Sequence, residues 1–488
     1  MEKMSSAHRA CAAALTLLLG ACGGGGSGSS STPTPSPPPP PSNLVRVSEA
    51  STFAAGCNAA PQAGTRFTNA EVEPSVIVNP VNPTNIVGAW QQDRWSSGGS
   101  QGLLIGSSFD GGHSWAITSA AFSRCTGGTA TNGGDFERAS DPWLAVSPDG
   151  TMYALSLSFT GDVLQPGSSS AMLVSRSADG GMSWGPVSTL IRDDAQFFND
   201  KGSITADSTD SSHVYAVWDR LSTANDGPAW FARTVDAGTT WEAARPIFDA
   251  GAGSQTIGNL IVVLPNGTLV NVFIQIDSPP GGATSTNIRA IRSIDHGDTW
   301  SGPVTIAESQ SIGAIDPQTG APVRDGSDLF SVAADRSGTL YVVWQDSRFS
   351  FGAHDGIALS RSTDGGLSWS APVRVNGQPS VAAFTPAVHV RDDGVIGVTY
   401  YDFRSDTSSA ATLLTDYWLA TSTDGVSFTE SHLTGPFDLD RAPNADGLFL
   451  GDYQALASVG SDFRPFFVQT NATAGNPTDV FIAFGPDR

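Results

Sequence analysis

Apolar residues along this chain recur in short runs that alternate with polar positions, and turns rich in glycine and aspartate separate the runs. Alternation with a period of two predicts β-strands, and no stretch keeps the spacing of an amphipathic helix. Seven times, a strand-like run is followed after a short turn by a second apolar run. The first runs of these pairs begin at Glu73, Asp141, Asp200, Thr256, Asp328, Thr385 and Asp452. The pattern predicts an all-β chain built from repeated antiparallel units.

A turn signature, Ser/Thr-x-Asp-x-Gly-x-x-Trp, recurs within these units. It is the Asp box, in which the aspartate can accept bonds from nearby backbone N–H groups and glycine adopts a positive φ without steric cost. We interpret these aspartates as turn-forming residues and not as catalytic acids. A repeat of this kind predicts the blades of a β-propeller. The boxes lie at residues 108–115, 177–184, 234–241, 293–300 and 362–369, with a shortened copy at 422–428.

The two ends of the repeat region predict how the ring closes. The last unit has a third strand near residues 479–484, after which no further strand follows, whereas residues 43–50 form a strand-like run without a partner. Pairing the two would close the ring and remove two open sheet edges. We therefore predict an Asp-box β-propeller of seven four-stranded blades, closed by N- and C-terminal strands, with a six-bladed ring as the alternative.

The first forty residues have the features of a targeting sequence. Lys3 and Arg9 precede an apolar run, residues 11–19, that is too short to span a bilayer. The run ends in Leu-Gly-Ala-Cys22, which resembles the lipobox of bacterial lipoproteins and implies lipidation of Cys22. We expect a signal peptide at 1–21, a lipidated cysteine with a Gly/Ser/Pro-rich tether at 22–42, and the propeller at 43–488. The next residue, Gly23, favours the outer membrane over the inner one. Plain secretion is the alternative.

Cysteine use and charge narrow the chemistry further. Cys57 and Cys125 remain outside the leader, and an even pair in an oxidising compartment predicts one disulfide. Neither cysteine has the spacing of a metal or redox motif, so we expect no metal and no cofactor. The formal net charge of −22 repels polyanions, which excludes nucleic acid as an expected partner. We expect a monomer that is attached to the membrane only through the lipid on Cys22.

Candidate chemistry lies where strand ends meet near the ring axis. The second strands of four units end in an acid closely followed by an arginine, and the inner strands begin with acids and with Lys201. The arginines either bind an acidic or polyhydroxylated sugar, since guanidinium groups pair bidentately with carboxylates, or each pairs with an acid of a neighbouring blade. The four pairs are Asp93-Arg94, Asp219-Arg220, Asp346-Ser347-Arg348 and Asp402-Phe403-Arg404.

Asp boxes, a propeller and convergent arginines together resemble the sialidase (neuraminidase, BNR-repeat) superfamily, from about residue 65 to the C-terminus. The resemblance implies an exo-glycosidase with a tyrosine nucleophile assisted by a glutamate, an aspartate acid/base and carboxylate-binding arginines. By position, Tyr453 matches the nucleophile and Asp93 the acid/base. The sequence departs from the family at Glu73-Pro74-Ser75, where sialidases carry Arg-Ile-Pro, and no glutamate is identified as the partner of Tyr453. The arginines available for a sugar carboxylate are Arg94, Arg220, Arg348 and Arg404.

Two further interpretations stay open. Seven-bladed Asp-box propellers include endo-acting glucan hydrolases that use two aspartates, and Asp93 with Asp141, Asp200 or Asp452 would form such a pair. The second interpretation is a surface-tethered module that binds a glycan or a protein without catalysis, because fold alone does not define function.

Overall fold

The computed structural model describes residues 43–224, 226–279 and 281–485. The predicted signal peptide, Cys22 and the tether lie outside the described residues. From Asn43 onward the chain forms one compact unit that is almost entirely β-structure, with short 3₁₀ turns at Arg124–Thr126, Ser347–Ser350 and Leu439–Arg441. The described part contains no helix with the length and apolar character needed to cross a membrane.

The strands form antiparallel groups of four, here called blades and numbered along the chain. After β1 (Leu44–Arg46), blade 1 contains β2 (Glu71–Val78), β3 (Ile86–Arg94), β4 (Ser100–Ser108) and β5 (Ala116–Thr118); blade 2 contains β6 (Arg138–Val146), β7 (Met152–Thr160), β8 (Ser169–Ser177) and β9 (Ser188–Asp194); blade 3 contains β10 (Phe197–Ala206), β11 (Val214–Ser222), β12 (Ala229–Thr234) and β13 (Arg245–Phe248).

The second half continues the pattern, with one two-residue strand inserted between blades 4 and 5 and another between blades 6 and 7. Blade 4 contains β14 (Ser254–Val263), β15 (Leu269–Asp277), β16 (Ser285–Ser293) and β17 (Val304–Glu308); β18 (Val323–Arg324) follows; blade 5 contains β19 (Phe330–Ala334), β20 (Leu340–Asp346), β21 (Gly356–Ser362) and β22 (Val373–Arg374); blade 6 contains β23 (Ala383–Val390), β24 (Ile396–Asp402), β25 (Leu414–Ser422) and β26 (Thr429–Asp438); β27 (Leu448–Phe449) precedes blade 7, which contains β28 (Ala455–Val459), β29 (Asp462–Thr470) and β30 (Thr478–Ala483).

The inner strands form a closed ring. Each of them packs against the inner strand of the next blade, in the order β2, β6, β10, β14, β19, β23 and β28, and β28 packs against β2. A single residue pair, Ser100 with Ala139, also joins the sheets of blades 1 and 2. The predicted all-β, Asp-box propeller architecture is confirmed.

The ring is closed by strands from both ends of the described chain. β1 pairs antiparallel with β30 and forms the outer strand of blade 7, in the order β1, β30, β29, β28. The hydroxyl of Ser48 donates to Asp479 at 3.0 Å just beyond this pairing. Cys57 and Cys125 are joined in a disulfide with a Cα–Cα distance of 4.9 Å, which links the N-terminal segment to the 3₁₀ turn after β5.

The Asp boxes are turns held by their own aspartates. The Asp236 carboxylate accepts the backbone N–H of Thr240 at 2.8 Å and the hydroxyls of Thr240 and Thr234 at 2.7 and 2.8 Å. These bonds, that from the Thr240 backbone first, lower the pKa of Asp236 to about 2. The other boxes repeat the contact between the aspartate and the Ser/Thr two residues before it, through Asp110, Asp179, Asp295, Asp364 and Asp424.

Blade 7 packs against its neighbours through phenylalanines that face glycines. The ring of Phe466 occupies the space beside Gly88 of blade 1, and the ring of Phe463 occupies the space beside Gly397 of blade 6. Any side chain at either glycine would overlap the aromatic ring. Close packing of this kind leaves no room for added methyl groups, so these glycines fix the spacing on both sides of the closing blade.

We expect Gly88→Ala to lower the free energy of unfolding by about 1–3 kcal/mol, because the new methyl group overpacks the contact with Phe466. Chemical denaturation followed by tryptophan fluorescence measures the change. Gly302→Ala is the matched control, since a Cβ at that position meets no atom within 4 Å. Equal stability of the two variants would contradict this packing at the closure.

Candidate functional site

The inner strands of five blades share an irregularity at their start. Their pairing with the second strand shifts register at the same place, which is the mark of a β-bulge, and a bulge changes the direction of a side chain. The first bulge residue has a positive φ, which is costly for residues other than glycine and is concentrated at functional sites. These residues and their φ values are Glu73 (55°), Asp141 (51°), Lys201 (46°), Gly258 (71°) and Thr385 (50°).

Three of these strained side chains meet at one point. The Lys201 Nζ lies 2.6 Å from Asp452 Oδ2, 3.5 Å from Glu73 Oε1 and 3.8 Å from Asp141 Oδ1. Lys201, Glu73 and Asp141 lie on the inner strands of blades 3, 1 and 2, and Asp452 lies just before the inner strand of blade 7. Their side chains are at most 12% exposed. One buried ammonium group therefore connects four blades at the ring axis.

A fifth charged residue, Arg324, completes this group, which we call the axial cluster: Glu73, Asp141, Lys201, Arg324 and Asp452. The Arg324 Nε and Nη2 donate to the two oxygens of Asp452 at 3.0 and 2.8 Å, a bidentate pair. Arg324 lies on β18, which pairs in parallel with β27. The guanidinium also lies over the ring of Phe449, 4.5 Å from its centre.

The environment of the axial cluster shifts the pKa values of two of its carboxyl groups in opposite directions. Burial, together with Asp141 and Asp452, raises the pKa of Glu73 to about 8 although Lys201 opposes this. Burial also acts on Asp452, but Arg324 and Lys201 outweigh it and hold the pKa of Asp452 well below its ordinary value. Near neutral pH Glu73 is therefore the carboxyl group that gains and loses a proton, whereas Asp452 is ionised.

A small open cavity of about 30 Å³ adjoins the axial cluster. Its polar wall includes Asp141, Lys201 and Tyr453, and its apolar wall includes Trp143, Leu260 and Phe330. The Tyr453 ring lies 5.3 Å from that of Trp143, and its hydroxyl donates to the Pro142 carbonyl at 3.4 Å. Burial and the charge of Glu73 raise the pKa of Tyr453. No group of three or more His, Cys, Asp or Glu side chains in the described ranges is arranged to hold a metal ion.

Of the two residues predicted to be catalytic, the structure places only Tyr453 at this cavity. Asp93 is 1% exposed and accepts the Ser51 hydroxyl at 2.8 Å, the Gln101 amide at 2.9 Å and the Asn69 backbone N–H at 2.9 Å. These bonds tie the N-terminal segment to blade 1. They give Asp93 a structural role and do not support its assignment as the acid/base, since the aspartate that lines the cavity is Asp141.

The four predicted arginines do not form one pocket. Arg220 pairs bidentately with Asp193 of the neighbouring blade at 2.8 and 2.6 Å, which is the alternative weighed above. Arg348 pairs with Asp346, and Arg404 with Asp402 and Glu430, all within their own blades. Acids already occupy these three guanidinium groups, so the prediction that they bind substrate is not supported.

Arg94 differs from the other three. It is 2% exposed, lies over the Phe449 ring at 4.8 Å, and bonds Gln91 Oε1 at 2.9 Å. Its Nε has no hydrogen-bond partner, and burial followed by the charge of Arg324 lowers the pKa of Arg94. Arg94 and Arg324 are thus the two guanidinium groups beside the axial cluster.

Sequence reasoning missed Arg324 and the relation between Glu73 and Tyr453. Arg324 belongs to an insertion between blades 4 and 5 that has no counterpart in the repeat, so no motif identifies it. Glu73 occupies the position at which sialidases carry an arginine, and this departure was the available signal. Its charge acts on Tyr453, for which the sequence indicated no glutamate partner.

Comparison with known proteins agrees with this architecture. Residues 223–441 match the BNR repeat-like domain. The chain is 29% identical to the xyloglucanase of a Paenibacillus species over 244 residues, which are 45% of this chain and 20% of that protein. The fold defines a β-propeller, and the match at residues 223–441 confirms the predicted resemblance to the BNR-repeat superfamily.

Two solved structures are similar in overall fold. A protein of unknown function from Dyadobacter fermentans DSM 18053 has a TM-score of 0.46 and 16% identity, covering 91% of this chain and 99% of that one. Hadza microbial sialidase Hz136 has a TM-score of 0.45 and 16% identity, covering 82% of this chain and 73% of that one.

The raised pKa of Glu73 predicts a specific pH dependence of stability. A carboxyl group with a pKa of about 8 when folded and 4.5 ordinarily stabilises the fold fully below pH 4.5, and this contribution is lost as the pH rises through 8. Relative to Glu73→Gln, the wild type should lose on the order of a few kcal/mol of unfolding free energy across this window. Denaturation of both proteins at several pH values measures the difference.

Glu49→Gln is the control, because Glu49 is exposed. Its difference from the wild type should not vary with pH. The same flat result for Glu73→Gln would mean that Glu73 is ionised in the folded protein at neutral pH.

Proposed function

We propose that this protein is a glycoside hydrolase whose reaction takes place at the cavity beside the axial cluster. The observation that carries the proposal is the placement of Asp141 and Tyr453 on one cavity wall, next to an ionised Asp452 and to Glu73, whose pKa of about 8 suits it to exchange a proton near neutral pH. Titratable groups whose pKa values are driven apart in a cleft are typical of acid/base sites. The BNR repeat and the partial likeness to a xyloglucanase support a carbohydrate substrate.

The roles of Asp141 and Tyr453 follow from their place on the cavity wall, and that of Glu73 from its charge, which acts on Tyr453 from behind this wall. Tyr453 acts as the nucleophile: its hydroxyl oxygen bonds to the anomeric carbon as the glycosidic bond breaks, and its proton passes to the carboxylate form of Glu73. Asp141 donates a proton to the departing oxygen and then accepts one from the water that cleaves the glycosyl–tyrosine bond. The proton held by Glu73 returns to Tyr453 at the end. This scheme keeps Tyr453 in its predicted role and assigns Asp141 instead of Asp93 as the acid/base.

The size and charge of the site restrict the substrate. A cavity of about 30 Å³ admits a few heavy atoms, so one substituent or chain end enters while the rest of the sugar stays outside. Exo-sialidase activity, the finer form of the proposal, additionally needs guanidinium groups for a carboxylate. Arg94 and Arg324 would supply them, although Asp452 already pairs with Arg324.

A second candidate function is a module that binds a glycan or a protein without turnover. It is favoured by one observation: Lys201 and Arg324 both pair with Asp452, so ion pairs within the protein already engage these two cations. The lipobox at Cys22 leads us to propose display at the bacterial cell envelope, through a lipid anchor in the outer membrane, for either function.

Turnover on a panel of aryl glycosides, including an aryl sialoside, and on xyloglucan and arabinan tests the proposal. On any substrate that is hydrolysed, Asp141→Asn and Tyr453→Phe should each lower kcat/KM by about 10²-fold or more, because each removes a group that exchanges a proton or forms a bond. Matched controls are Asp392→Asn, at an exposed carboxylate, and Tyr153→Phe, at a hydroxyl without a hydrogen-bond partner. Both should keep wild-type activity.

Glycan binding with no turnover on any substrate would favour the binding module. Full activity in both Asp141→Asn and Tyr453→Phe would place the reaction elsewhere on the protein.

A further inference from the structure

Lys201 is unusual in both the sequence and the structure. The 488 residues contain only two lysines, Lys3 and Lys201. Lys201 has a φ of 46°, which a lysine rarely adopts, and its side chain is 12% exposed at the ring axis. A lysine that is buried and has a strained backbone does not serve solubility at the surface, which indicates a specific role inside the protein.

Acids from several strands face the Lys201 ammonium group. Asp452 lies at 2.6 Å, Glu73 at 3.5 Å and Asp141 at 3.8 Å, and the charge of Asp200, its neighbour on β10, also acts on it. The Tyr453 ring centre is 5.8 Å away. The other cations that act on these acids are Arg324, which pairs with Asp452, and Arg94, whose charge acts on Glu73.

The contacts divide the acids into two kinds. Asp452 receives three charged donors in total, two from Arg324 and one from Lys201, so its carboxylate is well compensated. Glu73 and Asp141 each have Lys201 as their one ion-pair partner among the described residues, and Glu73 is the more deeply buried, with a side chain 1% exposed against 5% for Asp141. Deeper burial raises the pKa of Glu73 to about 8, so loss or gain of a proton near neutral pH falls on Glu73, and Lys201 is the ion-pair partner that responds.

We propose that Lys201 is a positioning residue for the reaction at the cavity beside the axial cluster. Its ammonium group couples proton uptake and release by Glu73 to the ionised state of Asp452 and to the orientation of Asp141. The proposal rests on the proposed function. When Glu73 accepts the Tyr453 proton, one of the three negative charges around Lys201 is neutralised, and the ammonium then interacts more strongly with Asp141 and Asp452. When the proton returns to Tyr453, the charge on Glu73 is restored and Lys201 stabilises it.

The chemistry of the lysine side chain suits this task. An ammonium group is a compact charge with three rotatable N–H donors, which match three carboxylates in different directions. The planar guanidinium of an arginine would preserve the charge but not these directions. Lys201→Arg and Lys201→Met therefore separate the effect of charge from that of geometry.

Because lysine is so rare here, the ammonium group can be observed directly. We would label the full chain with ¹⁵N,¹³C-lysine and follow the side-chain NMR signals from pH 5 to 10; the signal absent from Lys201→Arg belongs to Lys201. Its shift should change with a midpoint near pH 8, the pKa of about 8 to which burial and the neighbouring acids raise Glu73. The step should vanish in Glu73→Gln and persist in the exposed control Glu49→Gln.

Activity provides a second readout, which a purely structural role would not move. In Lys201→Met, the pH midpoint that reports Glu73 should rise by roughly one to three units, because a neighbouring positive charge favours the ionised form. Lys201→Arg should restore the midpoint toward the wild-type value. The Lys201 signal can also be assigned by substituting Lys3, the other lysine of the chain. The titrations of the wild type and of Glu73→Gln then do not depend on whether the Lys201 variants fold.

The outcomes distinguish the inference from the proposed function. A Lys201 step near pH 8 that disappears in Glu73→Gln, in a protein without turnover, supports the coupling and overturns the hydrolase. A Lys201 signal that does not change between pH 6 and 10, or whose step survives in Glu73→Gln, overturns the coupling even if the protein hydrolyses glycosides.

Discussion

The contact between Lys201 and the acids of blades 1, 2 and 7 is the interaction on which the centre of this molecule depends. Ring closure brings Glu73, Asp141 and Asp452 together, and three carboxyl groups in a little-solvated space repel one another. Removing such groups from water is costly unless they are paired and hydrogen-bonded. The ammonium group at the axis, together with Arg324 on Asp452, offsets part of this cost. The same contact therefore stabilises the closed ring and sets the protonation of the site.

The insertion between blades 4 and 5 gives the ring its asymmetry. It carries β18, whose parallel pairing with β27 places Arg324 against Asp452 and the Phe449 ring beside both Arg324 and Arg94. A repeated blade alone offers equivalent positions around the axis, whereas this segment selects Asp452 for strong ionisation. As a result Glu73 becomes the carboxyl group that gains and loses a proton near neutral pH. The functional difference between chemically similar acids thus arises from a segment outside the repeat.

Much of the fold could be predicted from the sequence because it depends on interactions between residues that are close together in the chain. Each Asp box needs an aspartate, a Ser or Thr and a glycine within one turn, and the strand between residues 43 and 50 was identified as an unpaired edge that β30 completes. Tyr453 was located by its position at the start of the last blade. The site was harder, because acid–arginine spacing cannot tell whether a guanidinium faces a ligand or its own neighbour: Arg404 folds back on Asp402, two residues earlier.

The remaining part of the site depends on long-range geometry. Arg324 and Asp452 are separated by 128 residues, and Lys201 and Asp452 by 251, so only the closed ring reveals these pairs. The hydrogen bonds of Asp93 could not be predicted for a related reason, since its partners Ser51 and Asn69 lie in an N-terminal segment that carries no recognisable motif. Bulges at the starts of the inner strands, visible only in the pairing register, direct Glu73, Asp141 and Lys201 to one point.

The most direct test of this account is a double-mutant cycle on the free energy of unfolding with Lys201→Met, Asp452→Asn and the double variant. If the ammonium group at the axis holds the cluster together, the two substitutions should be coupled by about 2–3 kcal/mol, because each single change removes the shortest charge contact of the partner that stays buried. Effects that add to within about 0.5 kcal/mol would show that Lys201 and Asp452 contribute independently, and would contradict the account.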